Sequence, residues 1–133
     1  MKKILSRVFA LVLVVVVGLT GCSATTEAGL TGNYRQDTLT LIETLRGAIE
    51  LPDDSPDKAF AQSEAKQQIN DFISRYRRDG SLLKLSSFTT MRTALNSLAG
   101  HYTSYPNRPV PEKLKVRLEQ EFRRVESALQ REV

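Results

Sequence analysis

The chain of 133 residues predicts an all-α fold, an up-down-up-down four-helix bundle, on three observations. Four segments repeat apolar residues at helical spacing, and no segment alternates apolar with polar residues as a strand does. Short connections containing proline or glycine separate the four. Connections of about five to nine residues make neighbouring helices run antiparallel.

The first expected helix runs from Tyr34 to Glu50. Leu41, Leu45 and Ile49 lie four apart, and Thr38, Ile42 and Ala48 widen them into one apolar stripe. Asn33 is the expected N-cap, with Gln36 three residues on, and Pro52 stops the helix. The second is expected to start at Ser55-Pro56, a cap residue followed by proline at the first helical position. Its stripe is Phe60, Ala61, Ala65, Ile69, Phe72, Ile73 and Tyr76, and Gly80 is the expected left-handed stop. Leu82, Leu83 and Leu85 then form a hydrophobic lead-in turn to a third helix from Ser86 to Ser104, with Phe88, Met91, Leu95, Leu98 and Tyr102 as its stripe. Pro106, Pro109 and Pro111 make the next connection. The fourth helix, Pro111 to Arg131, carries Leu114, Leu118, Phe122, Val125 and Leu129.

The N-terminus follows a different rule. Lys2, Lys3 and Arg7 precede an apolar run from Val8 to Val17. As a helix that run is roughly 15 Å long, too short to cross a hydrocarbon core of about 30 Å, so it reads as a signal peptide. Leu19-Thr20-Gly21-Cys22 resembles the lipobox of bacterial lipoproteins, in which the thiol accepts diacylglycerol and cleavage falls before the cysteine. An ordinary signal with an incidental cysteine is the alternative, but it leaves the small neighbours and the polar stretch from Ser23 to Thr31 without a reason. The expected organisation is a lipoprotein signal at 1–21, a lipidated flexible tether at 22–32 beginning with Cys22, and the bundle at 33–133. Each buried methylene adds about 0.8 kcal/mol, so several acyl chains on one residue anchor the domain to a membrane.

Without Lys2, Lys3 and Arg7 the charge of +4 falls to +1, so the high pI is no argument for nucleic acid. The charge is unevenly spread: residues 22–64 hold eight acidic and three basic groups, residues 65–117 three and ten. Such a layout gives the body a basic face. With one cysteine there is no internal disulfide, and stability comes from packing.

Catalytic and metal constellations are missing from the sequence. His101 is the sole histidine and Cys22 is taken by lipid, which excludes a soft metal site of several ligands. Asp53, Asp54 and Asp57 are framed by Pro52 and Pro56, without the glycine turn and distal glutamate of a calcium loop. Neither a glycine-rich phosphate loop nor paired carboxylates between apolar walls is present. The reading is a monomeric protein with no cofactor that is not an enzyme.

Two faces look suited to binding. One is the basic end of the second helix, Arg75, Tyr76, Arg77 and Arg78 with Lys84, expected to face the Tyr105–Arg108 connection and to use Tyr102, Tyr105 and Arg108 as neighbours. Arginine beside tyrosine is favoured at interface hot spots, while a solvated helix end whose cations offset the dipole is the plain alternative. The other is the third helix, whose residues Ser86 to Tyr105 include only Arg92 and His101 as charged or near-neutral titrating groups. Thr89, Thr93, Asn96, Ser97, Gly100 and Ser104 lie close to one small, uncharged face, which serves either close helix packing or the docking of a partner.

Three stretches carry a family resemblance. They are Leu30-Thr31-Gly32-Asn33-Tyr34 with Asp37-Thr38-Leu39-Thr40, then Gln68-Ile69-Asn70-Asp71-Phe72-Ile73-Ser74-Arg75-Tyr76-Arg77-Arg78, and the run from Ser87-Phe88-Thr89-Thr90-Met91 through Asn96-Ser97-Leu98-Ala99-Gly100 to Tyr105 and Pro111-Glu112-Lys113-Leu114. Together these resemble the cyanobacterial photosystem II assembly and repair lipoproteins, the Psb-twenty-seven family, over essentially all of 22–133. The resemblance implies a lipid-anchored protein on the lumenal side of the thylakoid membrane. It also implies transient, non-enzymatic binding to the lumenal domain of the inner antenna chlorophyll protein of immature photosystem II. Such binding would keep the manganese–calcium cluster site accessible and delay docking of the extrinsic subunits. From another class, a generic envelope lipoprotein acting as a structural spacer or a carrier of small hydrophobic molecules is the competing reading; a carrier needs a cavity.

Overall fold

The computed structural model describes residues 30–132, and the expected signal, Cys22 and most of the 22–32 tether lie outside them. The compact unit begins at Gly32. Its four helices are α1 (Tyr34–Glu50), α2 (Lys58–Tyr76), α3 (Ser86–Ser104) and α4 (Glu112–Arg131), with a single 3-10 turn at Leu82–Lys84 before α3. No strand occurs among the described residues.

Each helix packs on its chain neighbours, and α1 closes the ring against α4. Long-range contacts fix the directions. Tyr34 at the start of α1 bonds Ser87 at the start of α3 and meets Tyr76 at the end of α2 edge to face. The Ser87 amide in turn donates to Glu132, just past α4, at 3.1 Å. One end of the bundle therefore gathers the start of α1, the end of α2, the start of α3 and the end of α4. That arrangement requires alternating directions.

The expected stripes form the core. Leu41, Leu45, Ile49, Ala65, Ile69, Phe72, Phe88, Met91, Leu95, Leu98, Leu118, Phe122, Val125 and Leu129 are all buried, while Leu114 is half-buried. Around the Gly32 end, Tyr34, Phe72, Tyr76 and Phe88 form an aromatic cluster with centroid separations from 5.0 to 6.5 Å. Arg46 ties α1 to α4 by bonding both Glu119 (2.9 Å) and Glu126 (2.8 Å). Those two carboxylates hold the guanidinium charged, and Arg46 holds Glu119 below its ordinary carboxylate range.

Local expectations fail at three points. Helix α2 starts at Lys58, with Asp57 as N-cap, because Pro52 to Lys58 closes into turns (Ser55 N to Pro52 O, 3.0 Å; Lys58 N to Ser55 O, 3.3 Å) before the helical ladder begins. Within the helix Phe60 lies off the buried stripe Gln62, Ala65, Ile69, Phe72, Tyr76: it stands nine residues, about 180° around the axis, from Ile69, and is 69% exposed. Gly80 is not the left-handed residue; Gly32 is, at φ +86°. Of the lead-in leucines, Leu82 and Leu85 pack against the core and Leu83 is exposed.

Candidate functional site

Antiparallel packing separates the first proposed face into two. Arg75 and Arg78 lie at the Gly32 end, whereas Tyr102, Tyr105 and Arg108 lie at the other, beside the start of α2. The tie there is direct: Gln62 Nε2 donates to the Arg108 carbonyl at 3.1 Å, and the Asn107 amide donates to Gln62 Oε1 at 3.1 Å. Gln62 and Tyr76 are fourteen residues apart on one helix, roughly 21 Å. The expected pairing of Arg75 and Arg78 with Tyr102 and Tyr105 is therefore wrong, because two residues near opposite ends of antiparallel helices cannot meet.

At the Gly32 end the organising group is Asp37, buried at 3% exposure one turn ahead of Leu41. It accepts from the Gly32 amide (3.1 Å) and from the Tyr76 hydroxyl. Burial, and then the bond to this carboxylate, push the Tyr76 hydroxyl well above its ordinary pKa. The Arg75 guanidinium lies 5.9 Å from the Tyr76 ring centroid and would sit 3.0 Å from a Cβ at Gly32. Arg75 thus packs the junction where the chain enters α1. Arg77 and Arg78, past the helix end, are exposed.

Neutral groups organise the opposite end. His101 Nε2 lies 3.1 Å from the Pro109 carbonyl, and Asn107 takes a left-handed φ of 63°. The Tyr102 ring is buried, its hydroxyl has no hydrogen-bond partner among the described residues, and burial pushes its pKa up to about 12. Tyr105, 55% exposed, sits with its ring 5.4 Å from that of His101, and the Arg108 side chain is in solvent. Asp53, Asp54 and Asp57 are exposed, and the described residues contain no cluster of three or more metal-ligating side chains.

On α3 the choice between packing and docking is decided by exposure. Thr89, Thr93, Asn96, Gly100 and Ser104 face solvent, and Ser97 is half-buried. A Cβ added at Gly100 meets nothing within 4 Å, so no helix packs there. Thr93 bonds the Thr89 carbonyl (3.1 Å) and Ser97 the Thr93 carbonyl (3.1 Å), which satisfies their hydroxyls within the helix. The face is smooth, uncharged and dry in its bonding demand.

Open clefts do not suit a hydrophobic cargo. One of about 290 Å³ is lined by Gln62, Lys66, Asn70 and Asn107 among others, and one of about 400 Å³ by Glu50, Glu112, Lys115, Glu119 and Arg123. Carriers of apolar molecules use apolar walls. Among the described residues no helix is long and apolar enough to cross a membrane.

Sequence reasoning missed Asp37, Gln62 and Ser87, all buried and polar. Each occupies a stripe position: Asp37 four before Leu41, Gln62 three before Ala65, Ser87 four before Met91. A polar residue inside an apolar period was the available signal.

The described residues form a closed four-helix bundle with a packed core and an exposed helix face of small, uncharged residues. Residues 5–129 match the family model described as Photosystem II Pbs27, and the chain belongs to that family. It is similar to the photosystem II assembly factor lipoprotein Psb27 of Thermosynechococcus vestitus, 62% identical over 132 residues, covering 99% of this chain and 98% of that protein. The photosystem II lipoprotein Psb27 of Synechocystis sp. is 60% identical over 133 residues, covering 100% of this chain and 98% of the relative. A solution structure of Psb27 from cyanobacterial photosystem II superposes with a TM-score of 0.76 at 60% identity, covering 82% of this chain and 95% of the other. The family is non-catalytic, and this chain is not an enzyme.

Proposed function

We propose that this protein is an assembly and repair factor of photosystem II. In this reading it is anchored through lipid on Cys22 to the lumenal side of the thylakoid membrane and acts as a monomer. It binds the lumenal domain of the inner antenna chlorophyll protein in immature complexes, delays docking of the extrinsic subunits and keeps the manganese–calcium cluster site accessible. Family membership supports the general role. The observation that carries the docking mode is the exposed face of α3 around Thr93 and Ser97, since a helix face of small uncharged residues, with Arg92 the one permanently charged side chain of the helix, is cheap to desolvate against a partner. Tyr105, at the end of the same helix, extends that face with an exposed aromatic.

Affinity purification from thylakoids under repair conditions tests this. The wild type is expected to bring down the inner antenna subunit without the extrinsic subunits. Thr93→Glu with Asn96→Glu should lose that subunit while keeping full helical content. Unchanged recovery by the folded double variant removes the α3 face from the model; recovery of the extrinsic subunits in the same complexes removes the proposed delay. For the anchor, Cys22→Ser should release the protein from membranes without unfolding it, and labelled fatty acid on the serine variant would refute the assignment.

A further inference from the structure

The Gly32 end of the bundle is basic, and it is also where the chain from Cys22 enters. Arg35, Arg75, Arg77, Arg78, Lys84 and Arg131 lie on the helix termini and connection that meet there. Their acidic company is small: Asp37 is buried, Glu132 is half-buried and accepts from the Ser87 amide and the Ser86 hydroxyl, and Asp79 is turned onto Ser81. The opposite end has the other balance, with Glu50, Asp53, Asp54, Asp57 and Glu112 set against four cations.

We infer that this basic end lies against anionic lipid headgroups and so sets the upright orientation of the bundle on the membrane, leaving the α3 face and the Tyr105 end for the protein partner. The inference rests on the proposed anchor at Cys22. Ten peptide steps separate Cys22 from Gly32. As a coil they span about 17 Å and fully extended about 35 Å. Helix α4, with 20 residues, spans about 30 Å. For the opposite end to reach the membrane, Gly32 must rise by about that length, which stretches the tether almost to its limit. The basic end reaches the surface at ordinary coil dimensions. Attraction of cations to an anionic surface fades over a Debye length of about 8–10 Å, so only the end that makes contact gains from it. Arg77, Arg78 and Lys84 are exposed and have no ion pair among the described residues, so their charge is available.

The test uses the full mature chain carrying Cys22→Ser, so that binding to vesicles does not depend on lipidation. Wild-type charge should give binding to vesicles of phosphatidylcholine with phosphatidylglycerol at low salt, and none to phosphatidylcholine alone. Arg77→Glu, Arg78→Glu and Lys84→Glu together should weaken it on the order of a hundredfold. Arg75 is left unchanged because it packs against Gly32 and Tyr76. Equal binding by the triple variant, or equal binding to neutral vesicles, overturns the inference. So does a variant that keeps vesicle binding yet loses photosystem II in detergent extracts, which would assign the basic end to an acidic protein loop. The anchor is judged separately, by the mass of the Cys22 peptide from membranes.

Discussion

The two ends of the bundle solve one structural problem with different chemistry. Each must hold a helix connection against the body. At the Gly32 end a buried carboxylate does this: Asp37 gathers the Gly32 amide and the Tyr76 hydroxyl, and beside it Glu132 receives the Ser87 amide. At the other end a neutral amide does it, with Gln62 accepting from Asn107 and donating to the Arg108 carbonyl. A buried carboxylate draws cations to its neighbourhood and costs more to disturb than an amide does. The difference suits the proposed roles, one end facing charged headgroups and the other presenting Tyr105 to a protein.

A reference for the size of these effects is the core between the ends. Leu118 is 1% exposed, and Leu118→Ala is expected to cost about 2–5 kcal/mol in denaturant unfolding. Next comes the charged end. Asp37→Ala strands the Tyr76 hydroxyl and the Gly32 amide and is expected to cost about 2–4 kcal/mol. Gln62→Ala, which strands one carbonyl and one amide in a less buried place, should cost about 1–3 kcal/mol. If Gln62→Ala proves the more costly, the contrast between the ends is reversed.

The Arg46 bridge gives a pH signature. Glu119 has its folded pKa below the ordinary 4.5, so the bridge stabilises the fold above about 4.5 and that stability is lost as pH falls through the folded value. Arg46→Met should therefore lower stability near neutrality, and the gap from wild type should close as pH falls below 4.5. Glu119 is partly exposed, so the gap will be small. A gap that widens in acid would contradict the assignment.

The smallest expected change is at the neutral end. The Tyr102 hydroxyl is buried and has no hydrogen-bond partner among the described residues, so Tyr102→Phe strands no partner and should not lower stability at neutral pH. In alkali the substitution should show. The folded pKa of about 12 exceeds the unfolded 10.0, so the tyrosine's stabilising share is complete below 10.0 and declines as pH rises toward 12. The phenylalanine variant should lose less stability across that window. Loss as steep as wild type would assign the alkaline transition to Tyr34 and Tyr76, both also raised.

Much of the fold was legible because period and punctuation agree. Helices α1 and α3 span the residues that the stripes and caps mark out, and the Asn33 side chain caps α1 by accepting from the Gln36 amide at 2.9 Å. Legibility fails where a local signal competes with a turn. Ser55-Pro56 is as good a turn as it is a helix start, and Pro52 to Lys58 folds as turns; Phe60 was a misread period, since it stands about 180° around α2 from Ile69. The candidate faces divided in the same way. Composition alone was enough to mark α3 as poor in charge, with Arg92 and His101 its exceptions, while the partners of Arg75 depended on which residues antiparallel packing brings to one end.

By itself the sequence determined the helices, the apolar stripes that fill the core and the family. These depend on spacing along the chain, and the 3.6-residue period converts spacing into faces directly. Only the tertiary structure decided that Arg75 and Tyr102 stand at opposite ends, that Asp37 and Gln62 are buried fasteners, and that the small face of α3 is open to solvent. Those facts depend on the direction in which helices pack and on which stripe residues meet. Two residues many turns apart share an environment only after the chain has folded.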